Sequence, residues 1–219
     1  MSQPIILYSH ASGPNPWKVA IILEELGLKY ETKFLEFPHG VKGKEFTAKN
    51  PNGRVPCIED PNTGITLWES GAIIEYLIEN YDKSGKLTYS SFPEKYHLKQ
   101  WLFFQVSGQG PYFGQAAWFN NFHPEKLPSA IERYGKEIDR VTMVLNNALE
   151  GKEYLVGDKC TYADLSFVTW AAFAPVAAGP HKIDWEAYPN YKAWLDRLTS
   201  RPAVKKVLED KQKAGAKGH

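Results

Sequence analysis

Sulfur is scarce in this sequence. Its 219 residues include two cysteines, Cys57 and Cys160, and two methionines. The cysteines lie far apart and form no C-x-x-C pair, which excludes a thiol-redox couple of the chain's own. Six scattered histidines without H-x-x-x-H spacing give a zinc site almost nothing to build on, so no metal is expected. Redox or thiol chemistry would have to come from a bound molecule. An excess of one charge is also missing. With 26 basic residues against 25 acidic and a net charge of +1, there is no field to gather nucleic acid or an anionic membrane. No run approaches the roughly 18 apolar residues of a spanning helix, and Met1 to Leu7 lacks the basic flank and apolar stretch of a signal peptide. The expectation is a cytoplasmic protein with neither nucleic acid nor membrane as partner. What the chain does have is the 43% hydrophobic and 23% charged make-up of a globular protein, at a length of one to two domains. It is also 14% aromatic, and Trp101, Trp118, Trp170, Trp185 and Trp194 all fall in its second half, where most are expected in the core.

The first eighty residues are clearly punctuated. Ile5 to Tyr8 reads as a buried strand that ends in a loop rich in serine, glycine and proline. Asn15 is a good helix cap and Pro16 suits the first helical position. Val19, Ile22, Leu23 and Leu26 then keep helical spacing until Gly27. Tyr30 to Phe37 alternates as a second strand, reached by a crossover that implies parallel pairing. After a polar, helix-compatible stretch at Lys42 to Lys49, Arg54 to Glu59 and Ile65 to Leu67 form two short strands around the turn Asp60 to Gly64. Glu69 to Asn80 carries Ile73, Tyr76 and Leu77 on one helical face. The order is β-α-β-α-β-β-α.

A polar stretch from about Asp82 to Phe92 follows, and no strand signal lies beyond it. The organisation expected is a first domain over 1–83, a linker over 84–92 and an all-helical domain over 93–219. Its helices are placed at Pro93 to about Phe119, Pro128 to Leu149, Thr161 to Val176, Pro189 to Thr199 and Pro202 to Asp210. Ile131, Tyr134, Ile138, Val141, Leu145 and Leu149 keep three-four spacing over five turns, which buries one face. Thr161 to Asp164 reads as a capping box. Lys211 to His219 is expected to fray. Gly108 to Gly114, with three glycines and a proline, should kink its helix. Packing between domains is one reason for such a kink. The other is an apolar, stackable substrate wall of Tyr112, Phe113 and Trp118.

These motifs together resemble the glutathione transferase superfamily: an α/β thioredoxin-like first domain with Val-Pro before its third strand, then an all-α domain with a capping box. The likeness spans essentially the whole chain. Pro14-Asn15, Asn50 to Pro56, Glu69 to Ala72, Gln100 to Gln105 and Ala130 to Tyr134 are similar to the nu class, which includes bacterial disulfide-bond oxidoreductases and fungal nitrogen-regulator-like transferases. The resemblance implies glutathione as co-substrate, a small hydrophobic electrophile or a disulfide as second substrate, and a homodimer.

It also assigns roles residue by residue. The bond matching Val55-Pro56 is cis in the superfamily, which turns the Val55 backbone outward to pair with a peptide. Ser70 sits where a helix N-terminus favours a carboxylate, and the resemblance has Glu69 meet the amino group of the glutamyl end. Without it, Ser70 reads as a cap and Glu69 as a first-turn acid. A helix N-terminus lowers the pKa of a nearby thiol, and an asparagine amide can donate to the thiolate; the matching asparagine of the class does so, which makes Asn15 the catalytic candidate. The class often has threonine where this chain has Gly13, and Tyr8, Ser9 or Ser12 could replace that hydroxyl. Lys42 and Lys44 lie where relatives contact the glycine carboxylate, although a solvated lysine face explains them equally. Arg133 is a surface charge on its own pattern and a contact to the glutamyl carboxylate under the resemblance. The function expected is conjugation of glutathione to small electrophiles, glutathione-dependent disulfide reduction, or both. The alternative is a glutathione-binding regulator acting through protein partners. The regulators of this kind carry a long Asn/Gln-rich N-terminal extension, whereas this sequence starts four residues before its first strand.

Overall fold

The computed structural model describes residues 2–37 and 39–216. These residues form two compact units. One runs to Lys86 and resumes at Ser200, and the other is Leu87–Thr199. The first unit holds a four-stranded sheet in the order β2-β1-β3-β4, formed by β1 (Ile5–Ser9), β2 (Tyr30–Phe34), β3 (Cys57–Asp60) and β4 (Ile65–Trp68). The crossover helix α1 (Pro14–Glu25) makes β1 and β2 parallel, with Ile5 opposite Tyr30 and Ser9 opposite Phe34. β3 then runs antiparallel to both β1 and β4. This is the thioredoxin-like sheet that the strand and helix order implies. Two short helices, α2 (His39–Lys42) and α3 (Lys44–Thr47), precede β3, and α4 (Ser70–Tyr81) follows β4.

α1 starts two residues earlier than a helix capped by Asn15 would. Its cap is Gly13, in an extended conformation, and Pro14 takes the first helical position, where its fixed φ and missing N–H cost nothing. Asn15 therefore lies inside the first turn. α1 is buried along almost its whole length, from Trp17 to Leu23, between the sheet, α4 and the last helix, α10 (Pro202–Ala216). α10 belongs to this unit through α1. Arg201 forks onto the buried Glu25 carboxylate with contacts of 2.6 and 2.9 Å, and Lys206 bonds Glu24 at 2.6 Å. The helix continues to Ala216 with Ala214 buried, past the expected fraying point. Lys217 to His219, the end of that expected tail, lie outside the described residues.

The second unit is all helical: α5 (Glu94–Phe104), α6 (Gly110–Ala117), α7 (Pro128–Ala148), α8 (Tyr162–Ala178) and α9 (Pro189–Thr199). The expected kink takes the form of a π-helical turn at Gln105–Gln109 between α5 and α6, and a second follows at Trp118–Phe122. The turn packs closely there, since a Cβ at Gly108 would come within 3.3 Å of the Phe104 ring. The capping box holds: Thr161 N and Oγ1 donate to Asp164 Oδ2 at 2.9 and 2.8 Å. Asp164 does more than cap. Its other oxygen accepts from Leu155 N and Trp194 Nε1, both at 2.9 Å, which ties α8 to α9 and the preceding loop. Burial nevertheless pushes this carboxyl above its ordinary range.

Candidate active site

The strand register gathers three distant segments of the first unit. Tyr8 pairs with Cys57, and Cys57 with Trp68, so the end of β1, the start of β3 and the end of β4 share one edge of the sheet. The N-terminus of α1, the Val55-Pro56 peptide and the Glu69-Ser70 turn all emerge there. Both β3 ladders stop at Cys57, which leaves the Val55 backbone beyond them. The Val55-Pro56 bond is cis, as is Phe92-Pro93.

Two of the first three residues of α1 are proline. Pro14 and Pro16 contribute no N–H, so Asn15 and Trp17 supply the main-chain donors of that turn. This thins the anion-binding capacity of the helix end and puts more weight on the Asn15 side chain. The loop before it is fixed by Trp17, whose indole Nε1 donates to the carbonyls of His10 at 3.1 Å and Ala11 at 2.9 Å. His10 Nδ1 accepts from Ser12 N at 3.3 Å and lies 3.1 Å from Ser12 Oγ. A backbone N–H can only donate, so this bond favours the neutral ring, and burial lowers the His10 pKa in the same direction.

The three other hydroxyls near this loop are not equivalent. Tyr8 is buried, its ring packed with Val41, Phe46 and Cys57, and its hydroxyl donates to Glu59 Oε2 at 2.6 Å. Burial first, and then the Glu59 carboxylate, push its pKa up to about 12. Such a phenol is a poor donor to a thiolate elsewhere. Ser9 is buried on β1, and Ser12 alone among the three is exposed.

The loop before Val55 is held by the buried Asn50, whose Nδ2 donates to Arg54 O at 2.5 Å and whose Oδ1 accepts from Asn52 N at 3.0 Å. Lys42 is exposed and reaches the same loop, donating to Asn52 O at 3.2 Å. Gly53 is required between them. Its φ is 60°, and a Cβ there would meet Val41 O at 2.9 Å.

Glu69 is the cap of α4, and among described residues it is the one non-glycine with positive φ, 70°. Such a conformation costs on the order of 1–3 kcal/mol. It turns the exposed Glu69 away from a first-turn position and leaves Ser70 as the first helical residue, buried at the sheet edge. Lys18, one turn along α1 from Asn15, is buried at 1% exposure, and Glu69 acts on its charge. Burial drags this ammonium down to about 7 while Glu69 opposes the fall.

The remaining candidates lie in the second unit. Phe113, expected in the apolar substrate wall, is buried at 1% exposure. Trp118 is 48% exposed and stacks on Phe122 with centroids 6.2 Å apart. Tyr112 tilts onto Tyr134, which lies flat on Phe119 at 5.4 Å. Arg133 is exposed on α7. Among the described residues no group of three or more His, Cys, Asp or Glu side chains could hold a metal ion.

Lys18 and His10 escaped the sequence reading, and Asn50 entered it only as part of the motif Asn50 to Pro56. Only Lys18 had a signal there: a lone cation inside the run Trp17 to Leu23, where an amphipathic helix would not place it.

The first unit is thus a thioredoxin-like domain with two helix N-termini and the Val55 backbone at one end of its sheet. The comparisons agree. Residues 3–79 match the model of the glutathione S-transferase N-terminal domain, and residues 111–202 that of the C-terminal domain. The chain belongs to the glutathione S-transferase family. It is 50% identical to the glutathione S-transferase-like protein tpcF of Aspergillus fumigatus, over 95% of this chain and 96% of that one. It is 48% identical to glutathione S-transferase 2 of Schizosaccharomyces pombe over the same shares. Among solved structures, the glutathione transferase URE2P6 of Phanerochaete chrysosporium in complex with oxidized glutathione superposes with a TM-score of 0.92, at 48% identity over 97% of this chain and 98% of that one.

Proposed function

We propose that the chain is a glutathione transferase that binds glutathione at the edge of its thioredoxin-like sheet and activates the thiol for attack. The observation that supports this reading is the register that aligns Tyr8, Cys57 and Trp68, the strand ends that adjoin the start of α1, Val55 and Glu69-Ser70. The Val55 backbone, beyond both ladders, pairs with the peptide. Ser70 takes the glutamyl carboxylate at the start of α4, and Glu69 takes the amino group. Lys42 contacts the glycine end, and Arg133 is the further candidate for the glutamyl carboxylate. Asn15 donates to the sulfur, which becomes a thiolate as its proton passes to solvent.

The thiolate then attacks a small hydrophobic electrophile, forming a thioether and expelling the leaving group. Alternatively it attacks a disulfide sulfur, giving a mixed disulfide that a second glutathione thiolate resolves to oxidised glutathione. The half-buried Tyr112 and the exposed Trp118 suit an apolar second substrate. Disposal of electrophiles, an accompanying oxidoreductase activity and a cytoplasmic setting belong to the same proposal, because the cytosol maintains glutathione as the reduced thiol.

Thermal melting tests the binding step, since a ligand of the folded state alone stabilises it by RT ln(1 + [L]/Kd). Glutathione should raise the melting temperature. Ser70→Ala and Glu69→Ala should each shrink the shift, and Lys42→Ala should shrink it less. An unchanged wild-type melting temperature at millimolar glutathione would contradict the proposal.

A further inference from the structure

The loop between β1 and α1 holds a serine and a histidine whose hydrogen bond has a definite direction. His10 Nδ1 lies 3.3 Å from Ser12 N and 3.1 Å from Ser12 Oγ. The main-chain N–H can only donate, so Nδ1 is the bare nitrogen of a neutral ring and Nε2 carries the proton. The Ser12 hydroxyl meets the same bare nitrogen and therefore points its hydrogen at the ring. Its lone pairs face away from His10. An exposed hydroxyl held in this way offers a thiol an acceptor, not a donor. That reverses the role expected of a hydroxyl replacing the one missing at Gly13.

The pair sits at the place proposed for the thiol. Ser12 directly precedes Gly13, the cap of α1, and a Cβ at Gly13 would lie 3.9 Å from His10 Cβ. Ser12 and Asn15 are three residues apart, which limits their Cα separation to about 11 Å even in a fully extended chain. Trp17 Nε1 anchors the loop through the carbonyls of His10 and Ala11, at 3.1 and 2.9 Å. The His10 ring meets Phe37 at 6.0 Å, edge to face. Burial lowers its pKa, and none of Tyr8 on β1, Lys18 on α1 and Glu36 after β2 adds to that shift. At neutral pH the ring is thus uncharged, with a bare nitrogen that can take a proton.

We propose that Ser12 and His10 form a proton relay for the thiol of glutathione, with Ser12 as the group that meets the sulfur and His10 as the positioning residue behind it. The inference rests on the transferase reading and deepens it. As the sulfur bonds to a disulfide sulfur of the second substrate, its proton passes to Ser12 Oγ and the Ser12 proton passes to His10 Nδ1. The longer bond from Ser12 N is given up in the same step. The disulfide bond breaks to expel a thiolate, which takes the proton back from the imidazolium directly or through solvent. The products are a mixed disulfide and a thiol, and no further reactant is needed. Asn15 keeps its own part, because an amide donates to sulfur and cannot take its proton.

The test is the glutathione-dependent reduction of bis(2-hydroxyethyl) disulfide from about pH 5.5 to about pH 9.5, which spans the ordinary histidine and thiol ranges. Wild type is compared with Ser12→Ala, His10→Asn and the double variant. Asparagine puts Oδ1 where His10 has Nδ1, so it accepts both Ser12 bonds but cannot take a proton. Near neutral pH each single variant should lose about a hundredfold in kcat/KM, the low end of general acid–base catalysis, and the double variant no more than either. Toward about pH 9, where the thiol ionises unaided, the deficits should close. Wild-type rates in His10→Asn would show a merely structural histidine and overturn the inference. Losses that multiply in the double variant, or that stay constant with pH, overturn it too. Affinity for S-methylglutathione, measured by calorimetry, should stay within about twofold in every variant, and a loss there as large as the loss of rate makes the role one of binding and overturns the relay. If His10→Asn does not fold, His10→Gln carries the same comparison, and failure of both to fold overturns the inference. A wild-type chain that binds S-methylglutathione without speeding the reduction also overturns it. One that binds no S-methylglutathione sinks the transferase reading instead.

Discussion

At the scale of single residues, rate and redox chemistry separate cleanly. Cys57 is fully buried, and burial raises its thiol up to about 11, so almost none is thiolate near neutral pH. Cys160 is buried beside the capping residue Thr161. Replacing both by alanine should leave glutathione-dependent reduction of a small disulfide largely intact. Asn15→Ala should lower the same rate by about tenfold to a hundredfold, the value of one charge-assisted hydrogen bond of roughly 1.5–3 kcal/mol. A dead cysteine-free protein beside a fully active Asn15 variant would move the nucleophile onto the chain. Asn15 became a candidate through the resemblance of Pro14-Asn15 to the nu class, and its place near the start of α1 was legible. Its placement inside the helix rather than at the cap was not, because Pro14 and Pro16 both satisfy a first-turn rule and only the extended Gly13 backbone decides between them. The strained Glu69 was equally hidden, since nothing in the order Trp-Glu-Ser announces a positive φ in a residue with a Cβ.

Elements owe their places to contacts that periodicity does not encode. The strands, α1, α4 and α7 were readable because one face of each is apolar at a fixed spacing. α10 shows the limit: its own pattern predicts a helix but not that the helix returns to the first unit. What brings it there is Arg201, which forks onto Glu25 with Lys86 as a second cation 3.0 Å from that carboxylate. Burial raises the Glu25 pKa, and the bonds from Arg201 and Lys86 outweigh it, so the net shift is downward. A carboxylate with a depressed folded pKa contributes stability that is present above its unfolded value and lost as pH falls through the folded one. Arg201→Ala should therefore cost about 1.5–3 kcal/mol at neutral pH, by removing the charge-assisted bonds to a buried carboxylate that then keeps only Lys86. The difference from wild type should narrow as the pH drops below about 4.5, the ordinary glutamate range. Denaturant melts at neutral and acid pH measure this, and hydrogen exchange should show α10 opening first. An equal cost at both pH values would mean that the arginine contributes packing rather than charge.

At the scale of the whole molecule, assembly turns on an exposed aromatic stripe of the second unit. Tyr96 and Phe103 lie seven residues apart on α5, two helical turns on one face, and are 55% and 58% exposed. Phe92, 80% exposed, meets the Tyr96 ring edge-on at 6.1 Å and extends the same stripe. Scattered single apolar residues need no explanation, but an aligned aromatic set is the usual mark of a protein interface. Closed two-fold pairs are the commonest soluble oligomers, and their interfaces are self-complementary, so one stripe per chain can serve both partners. The expectation is a homodimer at micromolar concentration, with sedimentation giving about twice the 24.8 kDa of one chain. Phe103→Glu places an unpaired charge in that contact, which costs far more in an interface than on a free surface. It should shift the dimer toward monomer by about a hundredfold in dissociation constant while leaving the far-ultraviolet circular dichroism unchanged. A wild-type protein that sediments as a monomer, or a Phe103→Glu variant that pairs as tightly as wild type, would show that this stripe is not the dimer contact.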